Sequence, residues 1–130
     1  MEAKIVNQLV IPVKDEVGLL GRLLGLISDK GINVQAYCVY TNSGSGTLLM
    51  ITNNDIAAEK ALAEQGFEPA EEEVLVLTVD NKVGICADIS KKLGHAGINI
   101  KYSYATPESL SKAVVILCTS DNDRALKLLM

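Results

Sequence analysis

The residue types best suited to bind a small molecule occur in two short turns and at two asparagines. The turns read DEVGLL at residues 15–20 and NKVGIC at residues 81–86, and the asparagines are Asn33 and Asn99. Each turn precedes an apolar periodic segment. The first turn of a helix has unsatisfied N–H groups and a partial positive charge, which suit a carboxylate. An asparagine side chain both donates and accepts hydrogen bonds, so the set meets the needs of a free amino acid.

No combination of side chains predicts catalysis or a metal site. His95 is the only histidine and falls in the last turn of a predicted helix, where a polar or cationic residue complements the helix dipole. The three cysteines, Cys38, Cys86 and Cys118, lack ligand spacing and are interpreted as small buried hydrophobes. A nucleophile would need a nearby base and an orienting group. We therefore expect no enzyme activity, no metal and no cofactor.

Composition excludes further classes of function. Apolar residues make up 48% of the chain, charged residues make up 22%, and the formal charge is −4, which is typical of a globular protein. No cluster of Lys or Arg alternates with aromatic residues, so direct nucleic-acid binding is disfavoured. The longest apolar-rich stretch, residues 17–27, contains Arg22 and is shorter than the ~20 residues a bilayer requires. We therefore expect no membrane span, and we expect the protein to be cytoplasmic.

An offset of 66 residues aligns the chain with itself. It places Gly18 on Gly84, and it places Gly31-Ile32-Asn33 on Gly97-Ile98-Asn99 without a gap. The intervening apolar positions also match. A two-copy repeat of this length indicates a duplicated compact unit rather than a solenoid.

Each copy predicts the order β-α-β-β-α-β. In the first copy, NQLVIPV alternates as a strand, a helix stripe begins at Val17, and SGSG at residues 43–46 forms a hairpin loop. A capped helix follows, then FEPAE as a short edge strand, and Glu71-Glu72-Glu73 as a linker. The second copy repeats the order but stops after its last helix, one strand short. The predicted domains are residues 1–72 and 73–130, in the α+β class, with antiparallel sheets side by side and helices on one face.

The two segments DEVGLLGRLLGLISDKGINV and NKVGICADISKKLGHAGINI resemble the ACT domain family of small ligand-sensing modules. The resemblance covers nearly the whole chain and implies a pair of ferredoxin-like units. It also implies that an amino acid binds where the turn of one unit faces the Gly-Ile-Asn segment of the other. The residues so implied are Asp15, Glu16, Val17, Gly18, Leu19 and Leu20 with Asn99, and Asn81, Lys82, Val83, Gly84, Ile85 and Cys86 with Asn33.

A purely structural explanation exists for the same residues. Asp15 and Asn81 would cap helices, and Gly31 and Gly97 would end them. The two turns also differ: Asn81-Lys82 replaces Asp15-Glu16, which changes the formal charge from −2 to +1. The two sites are therefore not expected to bind one ligand equally, and a single high-affinity site is predicted.

Three functions follow in order of preference. The first is a non-catalytic, amino-acid-binding regulatory protein that acts allosterically on a partner, either as a homodimer or with an amino-acid-metabolic enzyme. The second is an interaction module or regulatory subunit that binds no ligand. The third is an enzyme, which no set of side chains supports.

Overall fold

The structure, a computed structural model, describes residues 1–130 and contains six strands and four helices. The elements in chain order are β1 Glu2–Lys14, α1 Leu19–Asp29, β2 Val34–Asn42, β3 Ser45–Thr52, α2 Asp55–Glu64, β4 Ala70–Asp80, α3 Ile85–His95, β5 Ile100–Pro107, β6 Lys112–Thr119 and α4 Asn122–Leu129. None of these helices is long and apolar enough to cross a membrane.

The residues form two compact units. The N-terminal unit is Asn7–Glu72, and the C-terminal unit combines Met1–Val6 with Glu73–Met130. Both are antiparallel sheets covered by two helices, as expected for ferredoxin-like folds, so the predicted α+β class is confirmed.

The N-terminal unit has the strand order β2-β3-β1. Leu9 pairs with Met50 and Ile11 with Leu48 across β1 and β3. All four side chains are buried with Leu23 of α1 and Leu62 of α2 in one hydrophobic core. The alternating apolar side chains of β1 therefore pack against the apolar face of α1, as the sequence pattern predicts.

The C-terminal unit repeats this arrangement. Leu75 pairs with Leu117 and Leu77 with Val115 across β4 and β6, and these residues form a second core with α3 and α4. The strand order in this unit is β1-β4-β6-β5, where its part of β1 is the first residues of the chain. Ala3 and Ile5 pack against the second core. The strand that the second sequence copy lacks is thus contributed by the start of the chain.

Five local expectations were wrong. Helix α1 begins at Leu19 rather than Val17, because Gly18 adopts a left-handed conformation at the N-cap. FEPAE forms no separate strand, since only its last two residues are in a strand, and these are the start of β4. The three glutamates form no linker, because they also lie in β4, Ala70–Asp80. The hairpin loop is reduced to Ser43 and Gly44, both with positive φ, as a tight two-residue β-turn requires. Among the cysteines only Cys118 is buried, and Cys86 is exposed on the first turn of α3.

Candidate functional site

The turn before α1 is a tight β-turn whose geometry requires glycine. The N–H of Leu19 donates to the carbonyl of Glu16 at 3.2 Å, and Gly18, at the third position, has φ 82° and ψ −3°. These angles are those of a type II turn, which glycine adopts without strain. A second bond, from the N–H of Asp15 to the carbonyl of Gly44 at 3.0 Å, ties the turn to the β2–β3 hairpin.

The equivalent turn before α3 has the same backbone. The N–H of Ile85 donates to the carbonyl of Lys82 at 3.3 Å, and Gly84 has φ 88° and ψ −6°. The backbone N–H of Asn81 donates to Ser111 at 2.9 Å, and its side-chain Nδ2 donates to the carbonyl of Ser109 at 3.2 Å. The turn geometry therefore explains why Gly18 and Gly84 are glycines. The side chain of Asn81 is already used to hold the β5–β6 loop.

The side chains of the two turns differ sharply in exposure. Leu19 is 5% exposed and anchors the first turn in the core, whereas Val17 and Val83 are fully exposed at the tips. Leu20 and Ile85 are half-buried. The tips consequently present apolar groups that the fold itself does not use.

Two clefts flank the first turn. The larger, here called the turn cleft, has a volume of about 430 Å³ and lies between the end of β1, the start of α1 and the segment after α2. Its apolar lining comes from Pro12, Val13, Leu19 and Phe67. The smaller cleft, about 180 Å³, runs from the same turn toward Val39 and Leu48 and includes Asp15 and Leu20.

Four charged side chains line the turn cleft: Lys14, Glu16, Arg22 and Glu68. Arg22 Nη1 lies 3.4 Å from Glu16 Oε1, and both side chains are largely exposed. Such a pair contributes little to stability. Lys14 and Glu68 form no ion pair. The cleft therefore offers two cations and two carboxylates that a ligand could use at low cost to the fold.

In the C-terminal unit the position equivalent to Lys14 is occupied by Asp80. The strand registers pair Lys14 with Ser45 and Asp80 with Lys112. Lys112 Nζ donates to Asp80 Oδ1 at 2.9 Å. This hydrogen bond, together with the charge of Lys112, lowers the pKa of Asp80, and Asp80 raises the pKa of Lys112 in return. The second turn is thus flanked by a charge pair that is already complete.

The two asparagines lie at the far ends of the helices. Both side chains are exposed and form no hydrogen bond within the protein, whereas their backbone groups are bonded. Asn33 follows α1 and the turn at residues 15–18 precedes it, so about 11 residues of helix, or roughly 16 Å, separate them within one unit. One unit does not bring its own turn and its own asparagine together. The predicted pairing of Asn99 with the first turn stays a prediction.

Sequence reasoning missed Lys14, Arg22, Phe67 and Glu68. Arg22 could have been found from the sequence, because it follows Gly18 by four residues, which is about one helical turn. The structure confirms this spacing, since the N–H of Arg22 donates to the Gly18 carbonyl at 3.1 Å. Phe67 and Glu68 follow α2 and carried no signal, since only the fold brings them beside the first turn.

A family model described as an ACT domain pair matches residues 4–130. A crystal structure of a protein from Bacteroides thetaiotaomicron is similar with a TM-score of 0.90 and 26% identity, over 98% of this chain and 88% of that chain. The ligand-free regulatory subunit of aspartate kinase from Thermus thermophilus has a TM-score of 0.69 and 17% identity, over 97% of this chain and 95% of that chain.

Aspartate kinase from Clostridium acetobutylicum has a TM-score of 0.65 and 18% identity, and the match covers 98% of this chain but 32% of that chain. A comparison with curated protein sequences finds no match. At these identities the kinase structures establish a common fold. With the family model spanning nearly every residue, the chain belongs to the ACT domain family and consists of an ACT domain pair.

Proposed function

We propose that this protein is a non-catalytic regulatory module that binds a free amino acid at the turn before α1. The observation that carries the proposal is the turn cleft, which combines two cations, two carboxylates and an apolar floor within about 430 Å³. That volume lies in the ~300–1,000 Å³ range of small-molecule sites. A ligand there would contact the turn residues Glu16 and Leu19 that the sequence singles out.

Membership of the ACT family supports a regulatory role, and similar folds include the regulatory subunit of aspartate kinase. A regulatory effect requires that ligand bind one conformation or assembly better than another. We propose that the responding partner is a second copy of the chain or an amino-acid-metabolic enzyme. A cytoplasmic location follows from that role.

A second candidate is an interaction module that binds no metabolite. The fully exposed Val17 and Val83 favour it, because both turn tips present a branched apolar side chain to the surroundings. A protein surface that packed against these tips would bury them without any ligand.

A thermal-shift screen of the extensively dialysed protein against the twenty amino acids separates the two candidates. A ligand at a hundred times its dissociation constant adds about 2.7 kcal/mol, which raises the melting temperature by several degrees. One or a few responders support the sensor. A flat panel, with mass spectrometry showing that nothing co-purified, rejects the sensor in favour of the interaction module.

Two variants test the asparagine predictions within the same screen. Asn33→Ala and Asn99→Ala remove side chains that form no hydrogen bond in the protein. Neither should therefore lower the free energy of unfolding of the unliganded protein by more than the ~0.5 kcal/mol of an ordinary surface change. Loss of the ligand response in Asn99→Ala would support its role opposite the first turn. An unchanged response in both variants would remove the asparagines from the site.

A further inference from the structure

We infer that the turn cleft of the N-terminal unit takes the ligand, that the equivalent place in the C-terminal unit does not, and that the ligand is an α-amino acid with an uncharged, apolar side chain. This inference rests on the proposed function, which places the ligand at the turn before α1, and it adds why the C-terminal unit takes none and which class of amino acid binds.

The first argument is a reversal of charge between the two copies. At four positions related by the 66-residue offset, the first copy has Lys14, Asp15, Glu16 and Arg22, and the second has Asp80, Asn81, Lys82 and Asp88. Three of the four positions change sign and the fourth loses its charge. Because the backbones of the two turns are the same, this difference in side chains decides which ligand each one accepts.

The second argument concerns the carboxylate of the ligand. A guanidinium binds a carboxylate through two parallel N–H donors, and in the N-terminal unit Arg22 projects from the first turn of α1 into the turn cleft beside Lys14. At the corresponding place α3 carries Asp88, which repels a carboxylate. Asp80, which stands where Lys14 does, is in addition already bonded to Lys112. The C-terminal unit therefore has no cation at either of these two positions, and the lysine of its turn, Lys82, stands where the N-terminal unit has Glu16.

The third argument is the charge balance of the cleft. Lys14 and Arg22 are offset by Glu16 and Glu68, so the lining is neutral. A zwitterion pairs its carboxylate with a cation and its ammonium with a carboxylate and leaves the sum at zero. A charged ligand side chain would instead give the occupied cleft a net charge, and removing a net charge from water is unfavourable.

The remaining lining sets the side-chain class. Phe67 is half-buried and packs against the core of the N-terminal unit, which fixes its ring beside Pro12 and Leu19. The apolar side chain of leucine or phenylalanine would be buried against Phe67, Pro12 and Leu19. A polar side chain placed against these three residues would lose its water without gaining a hydrogen-bond partner from them.

Isothermal titration calorimetry of the full chain tests all three parts. The probes are L-leucine and L-phenylalanine, with L-aspartate and L-lysine as charged comparisons. We expect one mole of L-leucine or L-phenylalanine per mole of chain and much weaker binding of the charged pair. Arg22→Ala should lower the affinity about 10- to 100-fold, as the loss of a charged hydrogen-bond donor does.

Asp88→Ala is the matched control at the equivalent position of α3, and it should change the affinity less than about twofold, within the spread of surface substitutions. If Arg22→Ala fails to fold by circular dichroism, Lys14→Ala replaces it with the same expectation. Two moles bound per chain, an equal loss in Asp88→Ala, or a preference for L-aspartate or L-lysine would each overturn the inference while leaving the proposed function intact. No heat with any of the twenty amino acids would reject the proposed function itself.

Discussion

Asn33 and Asn53 are joined by two hydrogen bonds in the N-terminal unit. The N–H of Asn33 donates to Oδ1 of Asn53 at 3.0 Å, and the N–H of Asn53 donates to the carbonyl of Asn33 at 3.1 Å. The second unit repeats the pair with Asn99 and Ser120, at 2.9 Å and 2.8 Å. Each Gly-Ile-Asn segment is thus held through its backbone, which leaves the asparagine side chain free for another partner.

Replacing Asn53 by Ala should reduce the free energy of unfolding by about 0.5–1.5 kcal/mol, the net value of one hydrogen bond. The N–H of Asn33 is exposed and can form a hydrogen bond with water once the Asn53 side chain is removed. The expected loss is therefore in the lower half of the ~0.5–1.5 kcal/mol range. Urea unfolding measures the change, and Asn33→Ala is the control because its own side chain is unbonded. A larger loss in Asn33→Ala than in Asn53→Ala would contradict this account.

Alanine substitutions at Gly18 and Gly21, three residues apart, should change the stability of the protein in opposite directions. Gly18 has φ 82°, and an added Cβ would meet nothing within 4 Å, so the cost of Gly18→Ala is the left-handed backbone alone, roughly 1–2 kcal/mol. Gly21 lies inside α1 with equal space around it. Gly21→Ala should therefore stabilise the protein by about 0.5–1 kcal/mol.

Melting curves of the two variants beside the unsubstituted protein give the signs directly. Stabilisation by both substitutions would mean that Gly18 does not hold a left-handed conformation in solution.

The sequence predicts the helices and the cores well because both depend on local periodicity. Leu23 and Ile27 are four residues apart on one face of α1, and Ile89 and Leu93 have the same spacing on α3. All four side chains are buried, so this local spacing is enough to predict the face that packs on the core. The role of Ile5 was invisible, since its partners come from residues beyond 72 and nothing near it in sequence reports them. The same limit applies to Phe67 in the turn cleft.

Ile5→Ala should destabilise the C-terminal unit, to which Ile5 contributes an apolar side chain from β1. Full burial would predict a loss of 2–5 kcal/mol, and a half-buried residue about 1–2 kcal/mol. Hydrogen exchange should quicken at residues 73–130. The exposed neighbour Lys4→Ala is the control, and equal acceleration there, or a change confined to residues 7–72, would contradict the assignment of Ile5.

Glu59→Gln should stabilise the protein at neutral pH. Burial, then a hydrogen bond and charge repulsion from Glu71, raise the pKa of Glu59 above its ordinary value of 4.5. Because the folded pKa is the higher one, the charged form costs stability once the pH rises through that range, and the cost disappears at lower pH where both states are protonated. Glutamine removes the charge at every pH.

The gain from Glu59→Gln should be less than about 1 kcal/mol, the scale of exposed charge pairs. It should appear in melting curves at pH 7 and vanish at pH 3. Glu64→Gln, near the end of the same helix, is the comparison. A gain of the same size at both pH values would show that the charge of Glu59 is not its cause.

The division of β1 between the units has a practical consequence for anyone who works with the gene. A fragment that encodes residues 73–130 would express the C-terminal unit without Met1–Val6, and so without Ala3 and Ile5 on its core. Two expression fragments divided at residue 72 would thus compare a complete N-terminal unit with a C-terminal unit that lacks part of its core. A synthetic peptide of residues 1–6, added back to the fragment, is the reagent that would restore the comparison.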